Sequence, residues 1–171
     1  QIDAHMDLRE NYQGFNHSHA SVMRNCLGQK DISRLIQVGI RDFCEEEYLE
    51  MKRSKGRIKT FFNDDINSDL YNGKTWDSIC KKIINNCSDK VYLSIDVDGL
   101  IPTYSSRSGT PVPGGLSYEK LLYLVKQLSQ SKKTIVGFDI VETNGNFDSI
   151  DVITSSQLCF HIAGYAWLTH Q

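Results

Sequence analysis

Short runs of β-branched residues alternate with longer stretches of helical period along the whole chain, and this alternation restricts the fold more than any other feature. The strand candidates are Arg34–Ile40, Arg57–Phe62, Val91–Val97 and Thr134–Val141, with Ile2 as the stub of an earlier one. The spacing predicts helices over Ala20–Leu27, Glu45–Lys55, Thr75–Asn86, Ser117–Ser129 and Val152–Trp167, with Thr75 and Ser117 as start signals. Strands that each lead into a helix imply parallel neighbours joined by crossover helices. Nearly continuous apolar runs such as VYLSI imply that both faces of the sheet are covered. The expectation is therefore an α/β fold, a three-layer parallel sheet with crossover helices. The polar, turn-rich stretch Asn63–Lys74 is expected to be a solvated loop.

Composition narrows the classes of function. At 171 residues, with 40% hydrophobic and 23% charged residues, the chain is a single folding domain of ordinary size. Nineteen Lys and Arg against 21 Asp and Glu leave a net charge of −2, so the basic footprint of a nucleic-acid binder is missing. No apolar stretch approaches the ~20 residues of a membrane span, and a cytoplasmic protein is expected. Five cysteines, an odd number without a CxxC pair, read as reduced thiols; Cys80 and Cys87, seven apart, read as small buried residues on one helical face. The opening Gln1-Ile2 runs straight into a charged segment, which reads as a chain cut into near the end of a strand.

Two carboxylate motifs stand out. Asp96-Val97-Asp98 follows the apolar run VYLSI, and carboxylates leaving a buried strand are costly unless capped, paired or bound to a cation. Asp3-Ala4-His5-Met6-Asp7 places three potential ligands at i, i+2 and i+4, on one side of an extended chain. Chance supplies such a D-x-H-x-D only about 0.03 times in this composition, so it is the more specific signal. Four carboxylates and one imidazole exceed what one divalent ion needs. Two cations sharing Asp ligands and holding a hydroxide between them is the economical reading, and the hard oxygen donors suit Mn²⁺ or a similar ion.

Other residues fall at the same end of the strands. Glu142 closes the run GFDIVE, as a substrate contact or a surface carboxylate; His17 and His19 follow the first motif as ligands, proton carriers or surface residues. Arg41-Asp42 ends another strand, where it could form an internal ion pair. All three prolines (Pro102, Pro111, Pro113), with Gly99, Gly109, Gly114 and Gly115, fall in one loop after the third long strand. Such a loop is shaped, and it lies where open α/β sheets place ligands.

Taken in order, IDAHMDLR, SHASVMR, VGIRD, LSIDVDGLIP, GTPVPGG and GFDIVE resemble the ureohydrolases: arginase, agmatinase, guanidinobutyrase and formimidoylglutamase. The likeness is strongest to the agmatinase-like branch and runs over essentially the whole chain. It implies an arginase-like fold, here partial: a single catalytic domain over residues 1–171 that corresponds to the C-terminal portion of the family fold and lacks its N-terminal strands. It further implies Asp3, His5, Asp7, Asp96 and Asp98 as ligands of a dinuclear manganese centre, His19 as a proton shuttle and Glu142 as the partner of a guanidinium. A small guanidino substrate and a trimeric or hexameric assembly, with no nucleic-acid or membrane partner, belong to the same implication.

There are departures. Nothing corresponds to the family's Gly-Gly-Asp-His type motif, whose histidine completes one metal site, and Ile101 stands where an aspartate usually precedes Pro102. Cys44 stands where arginases usually carry a second acidic residue. Hydrolysis of agmatine or guanidinobutyrate to urea and an amine is therefore the leading expectation. The alternatives are formimidoylglutamase or arginase activity, and an inactive fragment with an incomplete site. A two-metal phosphoesterase would fit the ligands but needs cationic groups where Glu142 is negative.

Overall fold

β-Branched and aromatic residues populate four extended runs, β1 (Leu35–Ile40), β2 (Ile58–Phe62), β3 (Lys90–Asp96) and β4 (Thr134–Val141), in the computed structural model, which describes residues 1–171. β1 pairs with β2 and β3 with β4, both in parallel. The opening segment joins the two pairs. Ile2 bridges Val38 and Ile95; its N–H donates to the Ser94 carbonyl at 2.9 Å and its carbonyl accepts from the Asp96 N–H at 2.9 Å. On the other side, Val38 donates to the Gln1 carbonyl at 2.9 Å and accepts from the Asp3 N–H at 3.2 Å. The spatial order is thus β2, β1, residues 1–5, β3, β4, all parallel, with the opening segment in the middle.

Six helices connect and cover these strands: α1 (Val22–Leu27), α2 (Glu45–Arg53), α3 (Asn63–Tyr71), α4 (Trp76–Asn86), α5 (Tyr118–Ser129) and α6 (Ile150–Leu168). Thr75, Ser117 and Ser149 cap α4, α5 and α6 by accepting a backbone N–H three residues on. On one face a large core joins α3, α4, α5 and α6 to Val38, Phe61, Leu93, Ile95 and Ile135. On the other, Met6, Leu8, Leu35, Ile40 and Ile58 pack with Met23 of α1, with Met51 of α2 against them. Leu35 and Ile40, of opposite parity, share one face because the register shifts at Gly39 (φ +94°), a bulge that reverses the alternation. The three-layer α/β arrangement read from the sequence is what the chain adopts. Cys80 is buried in the larger core, while Cys87 is the half-buried cap of α4. No helix is long and apolar enough to cross a membrane.

Cys87 thus lies outside the helical face expected for it, and a second expectation also fails. Asn63–Lys74 is not a solvated loop, because Asn63–Tyr71 forms α3. Asp64 and Asp65 in the first turn favour the positive end of the helix, and Ile66 and Leu70, four apart, face the larger core. The residues that signalled a turn are those that favour a helix start. Asn63 is itself buried and accepts the Gly115 N–H at 3.2 Å, so this segment is tied to the loop that follows β3.

That loop is held by close backbone approach. Leu100 bridges Leu116, and a Cβ on Gly115 (φ +105°) would lie 2.7 Å from the carbonyls of Gly99 and Leu100. Gly115→Ala combines a left-handed backbone with a clash against main chain that cannot move aside, and it should destabilise the protein by roughly 2–3 kcal/mol. Denaturant unfolding measures this; an unchanged midpoint would show that the loop relaxes freely.

Candidate active site

Alternation along the opening segment builds the first half of the site. Met6 and Leu8 are buried in the smaller core, and His5 and Asp7, which alternate with them, are left to border a cavity instead. Asp3 is 2% exposed; its Oδ1 accepts the His5 N–H at 2.6 Å and its Oδ2 the Gln1 side-chain amide at 2.7 Å. The second half comes from the exit of β3, where the chain turns into a single 3₁₀ turn over Val97–Gly99 rather than continuing the strand through Val97. Asp96 caps that turn by accepting the Asp98 N–H at 2.9 Å. Asp98 accepts the Ala4 N–H at 3.2 Å through Oδ1 and faces the Ser108 and Thr110 hydroxyls, each at 3.4 Å, through Oδ2. A Cβ on Gly99 would stand 2.7 Å from the Asp3 nitrogen, so only glycine lets the two halves meet.

Asp3, His5 and Asp98 thereby converge, with one donor atom from each lying within 4.8 Å of the others. His5 Nδ1 is 3.4 Å from Asp3 Oδ1 and 3.3 Å from Asp98 Oδ2, separations that suit donors sharing one ion at about 2.1 Å. Asp7 and Asp96 stand beside this trio and line, with His5, His19 and Glu142, a cavity of about 150 Å³ that Arg9, Tyr12, Asp42, Phe43, Glu47 and Thr110 also border. A larger cavity of about 470 Å³, lined mainly by apolar side chains, lies where β1 and β3 begin, and among the seven predicted site residues none borders it.

Charge at the centre is unbalanced. Burial, with Asp3 next, pushes the Asp7 carboxyl up to about 8; burial, with Asp3 and Asp98, pushes Asp96 up to about 9. Burial also raises Asp3. Burial opposes the charged form of His5, but hydrogen bonds to Asp3 and Asp98 outweigh it and push the imidazole up to about 10. The same contact holds Asp98 below the usual carboxylate range despite its burial. One imidazolium cannot keep four clustered carboxyl groups ionised together, and a hard divalent cation is the partner that this donor set fits.

Two of the predicted residues sit in left-handed backbone, Asp7 at φ +54° and Glu142 at φ +61° directly after β4. Such strain persists where the surroundings over-determine it, typically at functional positions. A Cβ on Gly109 would lie 3.3 Å from the Glu142 carboxylate, so the proline-rich loop crosses close above it. His19 opens the turn before α1 and meets the Tyr12 ring edge-on at 5.3 Å; His17 is exposed and outside the cavity.

Arg41 does not form the ion pair with Asp42 that the sequence left open. Its guanidinium donates to the carbonyls of Gly39, Asp98, Leu100, Val112 and Pro113 at 2.6–3.3 Å, gathering the end of β1 and both arms of the loop around Asp98. Asp42 instead approaches His5 Nε2 at 3.8 Å. Sequence reasoning also passed over Glu47, Tyr12 and Thr110, which carry no motif of their own.

The chain matches the model of the Arginase family over residues 1–165 and belongs to that family. It is 33% identical to an N(1)-aminopropylagmatine ureohydrolase of Thermus thermophilus, over 99% of this chain and 56% of that protein. It is 32% identical to an agmatinase of Pyrococcus horikoshii, over 95% of this chain and 53% of the other. Among solved structures, an agmatine ureohydrolase of Thermoplasma volcanium superposes with a TM-score of 0.80 at 28% identity, over 99% and 54% of the two chains. The chain therefore spans about half the length of the curated relatives it matches.

Arg41→Ala would strip five carbonyls, several of them enclosed, of their donor. It should cost roughly 2–4 kcal/mol in unfolding free energy, with Arg41→Lys in between because one ammonium cannot reach all five. Equal stability of Arg41→Lys and the parent protein would show that the fork is not needed.

Proposed function

We propose that this chain forms the manganese-binding part of a ureohydrolase that splits a guanidino compound of the agmatine or 4-guanidinobutyrate type into urea and an amine. The observation that carries the reading is the convergence of Asp3, His5 and Asp98 at the C-terminal end of the sheet, beside a cavity shared by Asp7, Asp96, His19 and Glu142. In this reading the five motif residues hold two Mn²⁺ ions, which supply Lewis acidity and an ionised water at neutral pH. Glu142 faces the planar guanidinium and balances its charge. As the guanidinium carbon gains oxygen, its bond to the alkyl nitrogen breaks, and His19 carries a proton to that nitrogen so that a neutral amine leaves with urea. The reading includes a cytoplasmic enzyme assembled as a trimer or hexamer, as the resemblance implies.

Against a phosphoesterase stands the cavity's charge: Arg9 is the one Lys or Arg on its border, facing five carboxylates. Against formimidoylglutamase stands His19, which enzymes of that type commonly lack. Against arginine stands Cys44, at the N-cap position of α2; a neutral thiol there cannot meet an α-ammonium group.

The test counts Mn²⁺ and measures urea release from agmatine, 4-guanidinobutyrate and arginine, side by side, in the protein that contains this chain. Two ions are expected, with arginine lower in kcat/KM by about two orders of magnitude. Arginine as the best substrate would overturn the substrate reading, and absence of bound manganese would overturn the metal reading. His19→Ala should lower kcat about 10²-fold with manganese content unchanged; loss of manganese in that variant would make His19 a ligand instead.

A further inference from the structure

Glu47 stands in the first turn of α2, only 4% exposed, and both of its carboxylate oxygens are engaged. Oε2 accepts the Cys44 N–H at 2.9 Å, which is the ordinary work of a capping glutamate. Oε1 accepts the Leu8 N–H at 3.0 Å, reaching back 39 residues to the residue after Asp7. Capping needs only the first bond and can be done by an exposed side chain. Burying a carboxylate is costly, so the second bond is the feature to explain.

That bond completes a grip on one peptide unit. The Asp7 carbonyl accepts the N–H groups of Met23 and Arg24 at 3.1 and 3.2 Å, from the start of α1. The N–H of the same peptide, on Leu8, is the one held by Glu47. Leu8 is anchored in the smaller core, and the Arg9 guanidinium approaches Glu47 Oε2 at 3.9 Å. A peptide plane gripped at both its oxygen and its nitrogen is fixed in orientation, and with it the left-handed turn at Asp7 (φ +54°) that no glycine eases.

We infer that Glu47 is a positioning residue: it clamps the Asp7–Leu8 peptide against α1 and so keeps the Asp7 carboxylate turned to the cavity, a role that rests on the proposed metal centre. Glu47 borders the cavity but acts through Asp7 rather than on substrate.

The experiment separates clamping from capping. Glu47→Gln leaves one side-chain oxygen for two N–H groups. Cys44→Ser in the same chain restores a cap at the helix N-terminus without serving Leu8. Manganese titration, hydrogen exchange at the Leu8 amide of the metal-free protein, and circular dichroism with unfolding midpoints are read on the parent protein, the single variant and the double variant. The double variant should regain the parent's helicity and midpoint, bind Mn²⁺ 10- to 100-fold more weakly, and exchange the Leu8 amide at least about 10-fold faster. Parent-like manganese affinity in either variant, unchanged protection of Leu8, or weak binding that only follows lost helicity would each overturn the inference. A parent protein that takes up no Mn²⁺ while Leu8 protection still depends on Glu47 would remove the metal centre and leave the clamp as a purely structural device.

Discussion

The structure depends on a five-residue segment threaded between two strands. Residues 1–5 hydrogen-bond to β1 on one side and β3 on the other, so the two pairs of strands form one sheet only through them. This brings the residues that follow Ile2 beside those that follow Ile95, and the Asp-x-His-x-Asp and Asp-x-Asp motifs become neighbours although some 90 residues separate them. The register is strict because it is hydrogen-bonded on both edges; a slip by one residue would exchange Asp3 and His5 for Ala4 and Met6. Gly99 makes the approach possible, since any side chain there would meet the Asp3 backbone.

Once the motifs are adjacent, electrostatics shapes what they can do. Asp3 and Asp98 are nearly sealed from water, yet His5 is the only cationic side chain that contacts both carboxylates. The carboxylates that lack such a partner, Asp7 and Asp96, are driven toward their protonated forms. A fold optimised for stability alone would pair or replace such groups. Retaining them together with left-handed backbone at Asp7 and Glu142 places stored strain and strongly shifted carboxyl groups in one cavity, the pattern expected where binding rather than packing dictates the residues.

The four strands and the helices on both faces were legible because periodicity and β-branching are local signals, and boundaries moved by only one or two residues in most elements. α3 was misread because Asn and Asp favour turns and helix starts alike, and only the burial of Ile66 and Leu70 decides between them. The contribution of Arg41 was invisible for a different reason. Its five acceptors are backbone carbonyls, which carry no residue identity, drawn from positions as far apart as Gly39 and Pro113. Glu47 was hidden likewise: both of its partners are main-chain N–H groups, that of Cys44 in the same turn and that of Leu8 39 residues earlier.

Arg41 and Glu47 together show how the scaffold arranges a charged centre without neutralising it. Arg41 lies close enough to Asp98 and Asp3 for their charge to be felt, but its donors go to carbonyls, one of them that of Asp98 itself at 2.6 Å. It therefore positions Asp98 through the backbone and leaves the carboxylate available. Glu47 mirrors this: an anion beside the centre that directs both oxygens to N–H groups and holds Asp7 through its peptide rather than its side chain. Had Arg41 paired with the Asp3 or Asp98 carboxylate instead, the bidentate contact would have supplied the counter-charge internally and weakened the attraction for a divalent cation. Placing both charged side chains on main-chain groups separates the task of holding the ligands still from the task of binding, so the negative potential of the cluster remains for whatever cation or cationic substrate enters the cavity.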